Sequence, residues 1–240
     1  MKPGSRPRLQ RATQTRRRRG PEGGSLADAA YQKIKKRILA NRFPPNYQAV
    51  ESKLALSLGM SRTPVHEALV RLAHEGLIEI ISRHGMRVLP VSPADMVEIY
   101  QALTAIEAQA AELLARRGVS DAEIASLAAA VDEMDAALAA DDRPAWARAD
   151  EQFHRRLLEL CGNRRLMQVG FTFREQVNRA RLLTLPLREK PVRSNEAHRK
   201  LVELIRDGDA DAARELHRTQ RVRGGAELTE ILLRFPLDNM

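Results

Sequence analysis

Lys53-Leu54-Ala55, followed by Gly59-Met60-Ser61-Arg62-Thr63-Pro64-Val65-His66-Glu67-Ala68-Leu69, is the stretch on which the fold of this chain turns. Leu54, Ala55, Leu58, Val65, Leu69 and Leu72 recur at helical spacing on either side of Gly59. That pattern predicts two helices locked together across a tight turn. Ser61 stands as the cap of the second helix, and Pro64 occupies its first turn, where a missing N–H is harmless. In such a helix-turn-helix the second helix enters the major groove and reaches base edges with its N-terminal residues. Arg62 supplies a guanidinium fork suited to guanine, while Ser61 and Thr63 offer hydroxyls to phosphate or base.

Upstream, Leu26, Ala30, Ile34 and Ile38 repeat at helical spacing until Phe43-Pro44-Pro45 stops the helix. Downstream of Gly76, two β-prone runs at 77–81 and 86–91 flank Ser82-Arg83-His84-Gly85 and predict a small hairpin. Helix, helix, turn, helix and hairpin together make a winged helix-turn-helix over residues 25–92. Ser92-Pro93-Ala94-Asp95 then opens the second half with a cap, a proline and an early acid. Helical patterns follow at 93–117, 121–139, 144–161, 163–185, 193–207 and 209–232, punctuated by Gly118, Gly162-Asn163 and Gly208-Asp209. The expected fold is mostly α, with an all-α antiparallel bundle over residues 93–235.

Charge separates the same segments. Residues 1–24 hold eight Lys or Arg and one acid, residues 25–92 ten bases and five acids, and residues 93–240 22 bases and 25 acids. A basic head on a mildly acidic body points to a polyanionic partner. Residues 1–24 have too little apolar content to offset the entropy of ordering, so they are expected to form a disordered basic tail. The lone Cys161 fits a reducing cytoplasm, and no apolar run approaches the roughly 20 residues of a membrane helix. A cytoplasmic protein with no membrane partner is expected.

The residues from Lys53 through Ser61-Arg62-Thr63-Pro64-Val65-His66-Glu67-Ala68-Leu69 to Leu72-Ala73-His74-Glu75-Gly76-Leu77-Ile78 resemble the DNA-binding head of the GntR family. The wing Arg83-His84-Gly85-Met86-Arg87-Val88 resembles it too. The resemblance implies DNA contacts from Lys53, Ser61, Arg62, Thr63 and His66, with Gly85 approaching the minor groove. Family members usually carry Arg in the place of His66, and often Arg or another polar contact in that of Ser52, so the preferred operator is expected to differ.

In the bundle, Asp150-Glu151-Gln152-Phe153-His154 sets a carboxylate and an imidazole four residues apart on one helix face, and His198 and His217 lie on the last two helices. Converging carboxylate and imidazoles are one way bundles bind divalent metals; an intrahelical salt link and surface histidines are the alternative. Residues 96–222 resemble the FCD effector domain of FadR-type GntR members, in the smaller six-helix, VanR-like form. That resemblance implies a divalent metal (zinc, nickel or manganese) held by Asp150, His154 and His198. The fourth ligand of the pattern falls on Gln220, with His217 three residues earlier as the substitute. It also implies a small carboxylate effector beside the metal. An arginine that often precedes the Glu of the first bundle helix is here Leu103, four residues before Glu107. Arg174, Arg179 and Arg181 are the candidates to stand in for it, and most of these arginines are expected to be solvated.

The expected function is therefore a ligand-responsive DNA-binding transcription regulator, a repressor acting as a homodimer on an inverted-repeat double-stranded operator. The alternatives are an architectural DNA-binding dimer without effector and a metal-dependent hydrolase. Against the hydrolase, the chain shows no Gly-rich phosphate loop, nucleophile elbow or zinc-protease motif.

Overall fold

The computed structural model describes residues 25–235; the basic tail expected at residues 1–24 lies outside them. Nine α-helices and a three-stranded sheet are present among the described residues. Ser25 starts α1 (Leu26–Leu39) with a reciprocal capping box to Asp28, which satisfies two otherwise orphaned backbone donors. After β1 (Gln48–Ala49) come α2 (Glu51–Leu58) and α3 (Arg62–His74). Gly59 ends α2 in the left-handed conformation, at φ +65°. The hairpin is β2 (Ile78–Ile81) and β3 (Gly85–Val88), with Ile80 opposite Met86 and Ile78 opposite Val88.

The sheet holds one more strand than the sequence suggested. Its order is β1-β3-β2, all antiparallel, with Gln48 opposite Arg87 and Ala49 opposite Met86. A strand of two residues has no periodicity to read, and only its partner on β3 defines it. Leu54, Ala55, Leu58, Val65, Leu69 and Leu72 all face inward and close over Ile34, Ile38, Leu77, Met86 and Val88.

The bundle consists of α4 (Pro93–Arg117), α5 (Asp121–Ala139), α6 (Arg143–Leu160), α7 (Arg164–Thr184), a 3-10 turn (Leu185–Leu187), α8 (Val192–Asp207) and α9 (Ala210–Arg234). Side-chain caps from Ser92, Ser120, Asp142, Asn163 and Asp209 mark five of the helix starts. α4 packs along α9 and also meets α6, α7 and α8, so it is the central strut. Leu114, Leu127, Val131, Phe153, Leu157 and Leu201 fill the main core. A smaller core of Met96, Leu103, Val177, Leu228 and Leu232 lies nearer the head. None of these helices is long and apolar enough to cross a membrane.

Head and bundle meet along α7. Lys35 of α1 lies 2.7 Å from Glu175 and 3.4 Å from Glu75, and Arg179 donates a hydrogen bond to the Leu89 carbonyl. Gly76 sits so tightly against Gln176 that a Cβ there would come within 2.7 Å of its amide nitrogen.

Gly85 carries a specific constraint. Its φ is +90°, and a Cβ would fall 2.2 Å from the Ala49 carbonyl oxygen and 2.6 Å from the Val50 Cα. At Gly59, φ is +65° but a Cβ meets no atom within 4 Å among the described residues. Gly85→Ala should therefore pry β1 from β3 and lower the melting temperature more than Gly59→Ala, whose cost is the backbone strain alone, roughly 1 kcal/mol. Equal melting temperatures for the two variants would refute this packing argument.

Candidate functional site

The first turn of α3 forms an exposed polar edge. Ser61, Arg62, Thr63 and His66 are exposed, and Lys53 extends the edge on α2. Ser61 stands at the N-cap, but its hydroxyl makes no capping bond. Arg62 is 72% exposed in its side chain and lies 3.7 Å from Glu51, whose other carboxylate oxygen is 2.5 Å from Nδ1 of His66. Glu51 thus faces both Arg62 and His66. The sequence reading missed it, because an acid in the first turn of α2 looked like an ordinary helix start. In the wing, Arg83 and His84 are exposed, with Arg83 at φ +65°. Gly85 is half-buried against the strand beside it, so the backbone alone requires a glycine there.

The second polar constellation is buried among five helices of the bundle. Asp150 and His154 share a face of α6, Glu107 comes from α4, Arg174 and Arg181 from α7, His198 from α8, and His217, Gln220 and Arg221 from α9. Nε2 of His154 and Nε2 of His198 lie 3.3 Å apart. The Asp150 carboxylate is 3.7 Å from the first and 3.8 Å from the second. His198 Nδ1 is 2.6 Å from the Ser194 carbonyl, which assigns its proton to that nitrogen and leaves Nε2 with a lone pair. His154 Nδ1 is 3.2 Å from Glu107 without hydrogen-bond alignment, and a proton there leaves its Nε2 in the same state. Two lone pairs and a carboxylate facing one another could hold a cation, with Ser194 orienting the His198 ring from behind.

His217 does not join that trio directly. Its Nε2 is 3.3 Å from Glu107, so its nearest donor group is Glu107 with His154. Two three-residue sets result, Asp150–His154–His198 and Glu107–His154–His217, and His154 belongs to both. Gln220 sits next to His198, with its amide nitrogen 3.2 Å from the Ser194 carbonyl. Its Oε1 is buried without a hydrogen-bond partner among the described residues.

Burial holds all three histidines neutral. It pushes His198 down to about 4 despite Asp150, His154 well below its ordinary value despite Glu107, and His217 down as well. Neutral imidazole is the state that ligates a metal. Burial would raise the carboxylates, but Arg181 keeps Asp150 far below its usual range. Arg221 and Arg174 do the same for Glu107. Arg174 in turn has its guanidinium strengthened by Glu151 and Glu107, which outweigh its desolvation.

The arginines expected to be solvated are not: Arg174, Arg179 and Arg181 are all buried. Each finds a partner from another element, Glu107 and Glu151 for Arg174, Asp150 for Arg181, and the Leu89 carbonyl for Arg179. Burial presses Arg179 down to about 10. A cavity of about 560 Å³ opens beside the metal-type donors, lined by Asp150, His154, His198, Arg181, Arg188 and Arg221. The sequence reading passed over Arg188 and Arg221. In an Arg-rich chain, nothing local separates them from their exposed neighbours.

Comparison with known proteins places both halves. Residues 26–88 match the bacterial regulatory proteins of the gntR family, and residues 98–220 match the FCD domain. The chain is 47% identical over 132 residues to an HTH-type transcriptional regulator from the TAR-I ttuE-ttuC' intergenic region of Agrobacterium vitis, covering 54% of this chain and 77% of that one. It is 29% identical to a probable D-xylose utilization operon transcriptional repressor of Paenarthrobacter nicotinovorans, covering 73% and 76%. Among solved structures, E. coli McbR/YncC superposes with a TM-score of 0.72 at 19% identity, covering 86% of this chain and 98% of that one. A GntR regulator from Rhodococcus sp. RHA1 gives 0.67 at 20% identity, covering 85% and 97%; at these identities both show the fold alone. The chain belongs to the GntR family, with an FCD domain behind its winged helix-turn-helix, and is a DNA-binding transcription regulator rather than an enzyme.

Proposed function

We propose that this regulator is a metal-dependent acid sensor: a small organic acid bound in the bundle cavity changes the affinity of the head for its operator. The observation that carries the reading is the buried Asp150–His154–His198 donor set, turned toward an open cavity with arginines on its walls. The donors fit zinc, nickel or manganese, with Asp150, His154 and His198 holding the ion and His217 or Gln220 at the fourth position. A bound divalent ion supplies a Lewis-acidic anchor for a carboxylate oxygen. Arg181, Arg188 and Arg221 supply the fixed positive charge that draws an acid into the cavity.

The head, residues 25–92, reads DNA through Ser61, Arg62, Thr63 and His66, with Lys53 on phosphate and the wing near Gly85 in the minor groove. Two chains pair so that two α3 helices meet an inverted repeat. The α4–α9 face suits that pairing, since Val222 and Leu233 are exposed on a groove that carries Arg218 toward one end of α9 and Glu230 toward the other. Antiparallel packing of two α9 helices sets these opposite charges face to face. Repression released by the acid is the favoured direction, in keeping with the relative named as a repressor. α7 conveys the change, because it bears Arg181 on the cavity wall, Arg174 on the carboxylates of Glu107 and Glu151, and Glu175, Gln176 and Arg179 against the head. An acid that binds one arrangement of α7 better than another must shift the head with it.

Selection from a random duplex pool should enrich an inverted repeat. Arg62→Ala should lose preference at one symmetric base position, about 1–3 kcal/mol of discrimination. Lys53→Ala should instead weaken all sequences alike and reduce the salt slope by about 2, one phosphate contact for each protomer. Unchanged preference in Arg62→Ala would remove α3 as the reading helix. After chelation, adding zinc, nickel or manganese should raise the melting temperature, by mass action, and His198→Ala should abolish both that rise and the metal content. A wild-type protein indifferent to all three ions would end the metal reading. Glu107→Gln leaves Arg174 and Arg221 without their shared carboxylate, so denaturant unfolding should show a loss of about 3–5 kcal/mol.

A further inference from the structure

We infer that the acid taken up by the cavity carries two carboxylates, the second gripped by Arg188 and Arg221. The inference rests on the acid-sensing reading above and specifies its ligand class. Charge balance is the first argument. The buried carboxylates of Glu107 and Asp150 and the half-buried one of Glu151 are matched by Arg174, Arg181 and Arg221. These ion pairs match one for one, and a divalent cation on Asp150, His154 and His198 adds two positive charges beside them. An acid with two ionised carboxylates offsets both, whereas a monocarboxylate offsets one.

The second argument is an unspent donor. Arg221 is 6% exposed and lines the cavity. Its Nε is 3.1 Å from Glu107 without hydrogen-bond alignment, and its Nη2 has no hydrogen-bond partner among the described residues. Arg188 lines the same cavity with its side chain 12% exposed, and its one ion pair among the described residues, to Glu227, is loose at 3.4 Å. Buried guanidinium N–H groups lacking partners are costly unless a ligand fills them, and a carboxylate matches their fork. The wall as a whole carries six basic and three acidic side chains, so its field favours an anion.

The third argument is space. Gly224 lies inside α9 and lines the cavity, and a Cβ there would meet nothing within 4 Å among the described residues. A glycine inside a helix is destabilising by roughly 0.5–1 kcal/mol relative to alanine, and no packing contact among the described residues requires this one. What it does provide is room beside Arg221 and Arg223. At roughly 30 Å³ per water, a cavity of about 560 Å³ has space for a multi-carbon acid together with ordered water.

The test is calorimetric titration of the zinc-supplemented full chain with succinate and butyrate, which match in carbon count and differ by one carboxylate. Succinate should bind at least about tenfold tighter. Arg188→Gln should erase that preference. Gly224→Leu should leave the ligand-free melting temperature at or above that of the wild type while removing succinate binding, which separates blockage from misfolding. Equal affinity for the two acids in the wild type, or a preference that survives both substitutions, overturns the inference and leaves acid sensing standing. If neither acid binds at any zinc concentration, the acid-sensing reading falls and takes this inference with it.

Discussion

The bundle depends on matching three carboxylates with three guanidiniums out of water. Glu107 on α4 and Glu151 on α6 share Arg174 of α7, Asp150 on α6 takes Arg181 of α7, and Glu107 also meets Arg221 of α9. Removing any one member strands a desolvated charge, so the set survives only when all four helices keep their relative rotation and height. Apolar contacts such as Phe153 with Leu157 and Leu201 hold the helices together but tolerate small slides. The ion pairs do not. They also explain why the histidines between them stay neutral: the strong acids and bases satisfy one another, and burial decides the imidazoles.

The same arrangement makes α7 a shared element. Arg174 and Glu175 are consecutive, and successive helical side chains diverge by about 100°. One therefore reaches the carboxylates of the bundle, while the other reaches Lys35 of the head. Lys35 keeps its charge firmly, because Glu175 and the hydroxyl of Tyr31 outweigh its desolvation. A buried ion pair of this kind does little for net stability compared with an apolar contact, but it is selective about geometry. Together with the tight seat of Gly76 on Gln176, it ties the orientation of the head to the position of one bundle helix.

Helices were legible in the sequence because their signals are local. The capping boxes at Ser25 and Ser120, Pro93 in its first turn and Gly208 after its last each act within a few residues. The strand at Gln48–Ala49 was not legible, since its only definition is its pairing with Arg87 and Met86. Nor was the burial of Arg174, Arg179 and Arg181. An arginine on a helix is solvated or buried according to whether a carboxylate or carbonyl arrives from elsewhere, and those partners lie from 23 to 90 residues away in the chain.

The site divides the same way. By itself the sequence determined the helix-turn-helix with Arg62 at the start of its second helix, the order of the bundle helices, and the four-residue spacing that puts Asp150 and His154 on one face. These follow from backbone periodicity, which short-range steric and hydrogen-bonding rules impose. Only the tertiary structure decided that His198 meets His154 at 3.3 Å, that His217 turns to Glu107, and that Arg188 and Arg221 line the cavity. Those outcomes hang on how far α9 rotates and how closely it approaches α4. That approach is set where Gly225, lacking a side chain, lets Tyr100 lie against the helix backbone. Contacts between residues so distant in the chain depend on the packing of the whole bundle, which no local pattern encodes.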